Sequence, residues 1–193
     1  MKTLNFILSL LKVFFLIPFI SVFGQEFQLD TGYSIIEPDY RMDSLYWLTP
    51  PGDREPISIF LTLSGDSLNY FQELTLIEAE TYEGYKIYSL KNTQLKNVKE
   101  IVHVQLEYFA CCSSIENHYY LVTDKDEWVK LPILDYIACD GPEAFKEYRF
   151  PSQEFGIQDQ IIETLSFPDS AYLVDSVAVL RELKWNGSGV VVE

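Results

Sequence analysis

The stretch Val98-Lys99-Glu100-Ile101-Val102-His103-Val104-Gln105-Leu106-Glu107-Tyr108 decides the fold. From Val102 onward the apolar residues Val102, Val104, Leu106 and Tyr108 alternate with His103, Gln105 and Glu107, and a period of two places each set on its own side of an extended strand. The pattern predicts a strand packed on one side and open to water on the other. Working outward, Ile57, Ile59, Leu61 and Leu63 alternate in the same way with Ser58, Thr62 and Ser64. Between the two runs, Leu74–Glu78 and Tyr82–Leu90 are rich in Thr, Ile and Tyr, and the break around Glu80–Gly84 predicts two strands with a short connection.

Towards the C-terminus, His118–Thr123 and Glu127–Leu131 flank Asp124-Lys125-Asp126, a polar insert of hairpin length. Pro132 ends the second of these runs. Asp140-Gly141-Pro142-Glu143 has the residues of a helix start, two cap candidates, a proline at the first turn and an acid after it, so a short helix is expected over Pro142–Tyr148. Ile161–Phe167 alternates again, Pro168 and Asp169 punctuate, and Ala171–Val174 opens another extended run. Val177–Trp185 reads as a strand because Asn186-Gly187 follows at once and Val190–Val192 resumes extended text, although Asp175 or Ser176 could also cap a helix there. Eight or more short strands with one or two brief helices define an all-β or β-rich domain, an antiparallel sandwich or a small barrel.

The N-terminal residues point to export. Lys2 and Lys12 precede the apolar stretch Val13–Phe23, and the text turns polar at Gln25; Val22 and Gly24 supply the compact residues that signal peptidase requires. Residues 1–24 are expected to be a signal peptide and 25–193 a single β-rich domain. A retained anchor is the alternative, but an apolar run of 11 residues falls short of the ~20 needed to span a bilayer. After cleavage no transmembrane segment is expected, and the location is secreted, periplasmic or at the outer cell surface. Cleavage removes two lysines and no acids, taking the net charge from −15 to −17 over 169 residues. A field of that sign repels phosphate backbones, so nucleic acid is excluded as a partner class.

Three cysteines, Cys111, Cys112 and Cys139, face an oxidising compartment. One bridge and one spare thiol is the expectation, with Cys139 joined to Cys111 or Cys112. Zinc on Cys111, Cys112, His118 and Cys139 matches no familiar ligand spacing, and neither a metal nor a cofactor is expected. Only His103 and His118 could serve histidine chemistry, and His103 is expected on the solvated side of its strand. No Gly-x-Ser-x-Gly, phosphate-cradling glycine loop or His-Glu-x-x-His is present. Carboxylates are plentiful: Glu73, Glu78, Glu80 and Glu83 gather about one strand pair, and Asp124, Asp126 and Glu127 crowd the hairpin tip. With Tyr119, Tyr120 and Trp128 as exposed rings for sugar stacking, these tip residues are the candidate binding group; no catalytic residues are assigned. Asn186-Gly187-Ser188 fits both a glycosylation acceptor and a turn.

The signal end Phe23-Gly24-Gln25, the Cys111-Cys112 pair before Tyr119-Tyr120-Leu121-Val122, the strand end Trp128-Val129-Lys130-Leu131-Pro132 and the Trp185-Asn186-Gly187 turn together resemble short exported proteins of Bacteroidota-type bacteria. The resemblance implies a periplasmic or outer-surface location and transfers no site residues. The functional expectation is an exported non-enzymatic β module that binds a protein or glycan, or an envelope structural protein. The alternative is a small carboxylate hydrolase acting on polysaccharide or peptidoglycan, with one acid protonated and one charged.

Overall fold

The computed structural model describes residues 34–35, 40–44, 57–63, 66–76, 80–139 and 143–192. The expected signal peptide and Asp140, Gly141 and Pro142 of the expected helix start lie outside them. The elements are β1 (Ser34–Ile35), β2 (Tyr40–Ser44), β3 (Ile57–Leu63), β4 (Asp66–Leu76), β5 (Tyr82–Lys91), β6 (Val98–Phe109), β7 (Ser113–Thr123), β8 (Trp128–Lys130), β9 (Leu134–Ala138), β10 (Phe145–Arg149), β11 (Gln160–Pro168), β12 (Val174–Trp185) and β13 (Val190–Val192). They form three antiparallel sheets: β2-β3-β4; a central sheet in the order β1-β5-β6-β7-β8 with β9 also on β7; and β10-β11-β12-β13. The protein is an all-β sandwich, as the alternation predicts, with its sheets stacked rather than closed into a barrel.

The central sheet is covered on both sides. Ile87, Val102, Val104, Leu106, Tyr108, Tyr120 and Val122 pack with Ile59 and Leu61 of β3 and Leu74 and Leu76 of β4. On the opposite side Leu90, Ile101, Tyr119, Leu121 and Leu134 pack with Tyr148, Phe150, Ile161 and Leu183. Each fully buried Val or Leu in these layers contributes about 1.5–3 kcal/mol.

This corrects the expectation of a water-exposed side. Every residue from Ile101 to Leu106 is buried, His103 and Gln105 included, and Thr62 of β3 is buried too. Alternation reports that the two sides of a strand differ in polarity; it does not report whether the polar side meets water or a second layer. Part of this polar side is matched within the layer. His103 Nε2 lies 2.8 Å from Asn117 Oδ1, and Gln105 Nε2 donates to Glu107 Oε1 at 3.0 Å, as burial of hydrogen-bonding groups demands.

The expected helix over Pro142–Tyr148 is also corrected, since Phe145–Arg149 forms β10 and pairs along its length with β11. A seven-residue helix recovers little of its nucleation cost, whereas a strand at this position gains a ladder and buries Tyr148. Ala171–Leu173 is a turn rather than the opening of a strand. Asp169 Oδ1 accepts from the Ala171 and Leu173 amides, and Tyr172 has φ 63°.

The two expected hairpins form. In the β7–β8 loop, Thr123 N donates to Glu127 O at 2.9 Å and Asp126 takes φ 64°, a three-residue loop closed by a left-handed residue. After β12 the connection runs through Asn186–Gly189, and Asn186 N donates to Gly189 O at 3.1 Å across it. Asn186 Oδ1 accepts from the Ser188 and Gly189 amides, and Gly187 supplies the positive φ of 95°.

Cys112 and Cys139 are bridged, with a Cα–Cα distance of 4.5 Å, and Cys111 is free and exposed. Register explains the choice between the neighbouring cysteines. Ser113 pairs with Ala138 at the end of the β7–β9 ladder, so Cys112 and Cys139 are the next two residues to meet. Cys111 is one step too far along the chain.

Candidate functional site

The sequence-predicted binding group does not converge on one surface. Tyr119 and Tyr120 are consecutive in β7 and therefore point to opposite sides of the central sheet, each into a different core. Tyr119 stacks on His103 at 4.1 Å and meets Tyr148 edge-on at 5.2 Å. Tyr120 packs edge-on against Trp128 at 5.8 Å, with Lys130 Nζ 5.9 Å from its ring centre. Burial, and secondarily Glu116, pushes the Tyr120 hydroxyl above its ordinary range. Trp128 is half-buried and stacks on Phe71 at 4.8 Å. The expectation of exposed stacking rings therefore fails for Tyr119 and Tyr120, while Trp128 keeps part of its surface open.

Asp124, Asp126 and Glu127 are exposed at the hairpin tip as expected, and Asp126 is ion-paired with Lys99. Glu73, Glu80 and Glu83 are exposed and spread over β4, the β4–β5 connection and β5, while Glu78 lies outside the described residues. Among the described residues no group of three His, Cys, Asp or Glu side chains is placed to hold a metal ion.

Both histidines are locked in the interior, on opposite sides of the central sheet. Burial holds His103 down to about 4, against a smaller opposing effect of its Asn117 hydrogen bond. His118 Nε2 lies 2.7 Å from Glu116 Oε1, near enough for an ion pair but out of line for a hydrogen bond. Tyr108 donates to the other oxygen of Glu116 at 3.3 Å.

The structure assembles a different polar group where β9 runs beside β10. Glu107 of β6, Ile115 of β7 and Tyr136 of β9 form one cross-strand row. Across the seam, Phe145 of β10 places its ring 5.6 Å from that of Tyr136, tilted by 37°. Glu147, two residues along on the same side of β10, also acts on Tyr136. Burial first, then Glu147 and Glu107, raises the Tyr136 hydroxyl far above its usual value. Tyr136, Phe145, Glu107 and Glu147 each keep part of their surface in water, Glu147 less than Glu107.

Each carboxylate of the seam has its own cation. Lys86 Nζ sits 2.7 Å from Glu107 Oε1, which also accepts from Gln105. Arg149, fully buried, donates from Nη2 to Glu147 Oε1 at 2.6 Å and from Nη1 to the Glu154 carbonyl at 2.8 Å. Its guanidinium also lies 5.5 Å from the Phe155 ring centre, and Ser166 donates to Glu147 Oε1. The Glu147-Arg149 pair is thus fixed by a fork of hydrogen bonds and a ring contact, an arrangement open to Arg but not to Lys.

Sequence reasoning passed over this group. Glu107 stood in the alternation of β6 as a solvated residue, Tyr136 in a segment without a pattern, and Phe145 and Glu147 inside the expected helix. No local signal marked the segment as a strand: Phe145 and Tyr148 are three apart, a helical spacing, and Phe145, Glu147 and Arg149 are seen to share a side only once the pairing with β11 is known. Compared with known proteins, the chain matches no family model, no curated protein and no solved structure.

Proposed function

We propose that the protein is an exported, non-enzymatic β module that binds a polyhydroxylated ligand of glycan type at the Tyr136–Phe145 seam. The observation that carries this reading is the pairing of each seam carboxylate with a cation of its own, Glu107 with Lys86 and Glu147 with Arg149. Glycoside hydrolysis needs one carboxyl kept protonated as an acid, in a setting that disfavours its charge. A cation within hydrogen-bonding distance favours the charged form instead. Two carboxylates, each beside its own cation, and a tilted pair of aromatic rings supply acceptors and an apolar face, the means by which a site holds sugar hydroxyls without cleaving the chain.

Export supports the same reading, because an acidic module beyond the inner membrane meets polysaccharide and envelope proteins rather than phosphorylated metabolites or nucleic acid. The test is calorimetric titration with neutral and acidic oligosaccharides, alongside an assay for new reducing ends. Binding without cleavage, weakened about tenfold or more in Tyr136→Ala with the fold intact by circular dichroism, is the expected result. Release of reducing ends that disappears in Glu107→Gln or Glu147→Gln would establish the hydrolase instead.

A further inference from the structure

The Cys112–Cys139 bridge stands at the corner between the two strands that carry the seam. Tyr136 of β9 lies three residues before Cys139, and Phe145 of β10 six residues after it. Ser113–Ala138 is the last rung of the β7–β9 ladder, so the bridge closes that ladder two rungs beyond Tyr136.

Little else holds this end of β9. Leu134 is buried in the core beneath β10–β13. Beyond it Asp135 and Ile137 are exposed, and Tyr136 and Ala138 are only half-buried. Among the described residues β9 has a ladder with β7 alone. Phe145, by contrast, is held from its far side by pairing with Ser166 of β11. A segment with one laddered edge and no fully buried side chain belongs to the least stable part of a fold. A covalent tie at its end restricts how far it can leave.

The tie is also within reach of a reductant, since Cys139 is exposed and Cys112 half-buried. We propose that the Cys112–Cys139 bridge is a redox-sensitive latch on the seam. Closed, it keeps Tyr136 against Phe145; opened by a dithiol, it releases Asp135–Ala138 from β7 and takes the Tyr136 ring out of the seam. One thiolate of the dithiol attacks Cys139 Sγ and expels Cys112 as a thiolate, which takes up a proton. The second thiol, deprotonated in turn, attacks the mixed disulfide and frees Cys139, which is protonated as well. The bridge gains two electrons and two protons, and the dithiol loses them to become a disulfide. Control of ligand binding by this latch rests on the glycan reading of the seam; the release of β9 does not.

Backbone ¹⁵N relaxation of the full chain tests the latch, with dithiothreitol as the dithiol and Cys111→Ser to remove the free thiol beside the bridge. Order parameters of about 0.85 are expected at Tyr136–Ala138 in the oxidised protein, falling below about 0.6 on reduction. His103–Leu106 and Phe145–Arg149 are expected to stay rigid, and reoxidation restores the first values. Alkylation reads the state of the bridge, with no label before reduction and both bridge cysteines labelled after it. Cys112→Ser/Cys139→Ser in the same background gives the open state without reductant. A bridge that withstands about 10 mM dithiothreitol at neutral pH would overturn the proposal. So would a rigid Tyr136–Ala138 in the reduced protein, or a loss of order spread equally over the whole chain. No ligand enters the measurement, so a rigid β9 sinks the latch and leaves the glycan reading standing, and an absence of glycan binding leaves the latch standing.

Discussion

Replacing His103 by Gln tests the double-sided burial of the central sheet. The imidazole stacks on Tyr119 at 4.1 Å, lies 5.3 Å from Tyr88 and pairs with Asn117. Burial lowers its pKa from 6.5 in the unfolded chain to about 4 in the folded one. Between those values the unfolded chain binds a proton that the native protein refuses, so stability falls as the pH drops from about 6.5 towards 4 and levels off below. At 1.36 kcal/mol per unit, the span of about 2.5 units amounts to about 3 kcal/mol.

Glutamine does not titrate, and its amide can still donate to Asn117. It gives up the ring stacking at a cost of about 1 kcal/mol that is independent of pH. Every other titrating group is common to both proteins and cancels in the difference. At pH 7 the wild type is therefore expected to be the more stable by about 1 kcal/mol, and at pH 4 the variant by about 2. The two stability curves cross near pH 6. Urea unfolding followed by tryptophan fluorescence from pH 4 to 7.5 measures the difference. A constant gap over that range would mean that His103 titrates as it does in water, and the second covering layer would have to be abandoned.

Alkylation of the native protein is expected to add one label, at Cys111, and three after reduction and unfolding, read by intact mass. Reducing the Cys112–Cys139 bridge, which spans 27 residues, should lower the unfolding free energy by about 3–4 kcal/mol in the chain-entropy picture; an unchanged urea midpoint would contradict a formed bridge. Arg149→Met leaves the Glu147 carboxylate without its cation in a largely buried setting and should cost about 3 kcal/mol or more. The double variant Arg149→Met/Glu147→Gln should recover a good part of that loss, and equal losses in the two would show that Arg149 acts through packing rather than charge.

Much of the strand content was legible because it rests on local periodicity. β3, β6, β11 and β12 coincide with runs in which apolar residues recur at every second position, and β5 and β7 with runs rich in aromatic and β-branched residues. The hairpin between Thr123 and Glu127 followed from a three-residue polar insert between aromatic runs. The failures came where a local signal competed with a distant partner. Pro142 and Glu143 are good helix-start residues, but Phe145–Arg149 pairs with a strand that begins eleven residues after its own end. No window of the sequence contains both. Likewise Tyr119 and Tyr120 look like exposed rings on a polar hairpin until two further sheets are laid over β7.

The seam shows why the candidate site was less legible than the fold. Its carboxylates, Glu107 and Glu147, are 40 residues apart and come from different sheets, and their cations are chosen by strand geometry rather than by sequence spacing. Glu147 and Arg149 are the exception: a separation of two puts both on one side of β10, so their pairing follows once that segment is known to be a strand. Glu107 has no such local partner. It reaches Lys86 because β5 and β6 are in register, with Lys86 opposite Gln105 and Gly84 opposite Glu107. Without a side chain on Gly84, the diagonal neighbour Lys86 is the cation placed to reach Glu107 from β5. Lys86→Met would take the cation from the Glu107 end of the seam while leaving Glu147 untouched, since Glu147 is held from β10 itself. The two halves of the site can therefore be separated by substitution, one resting on register between strands and the other on spacing within one.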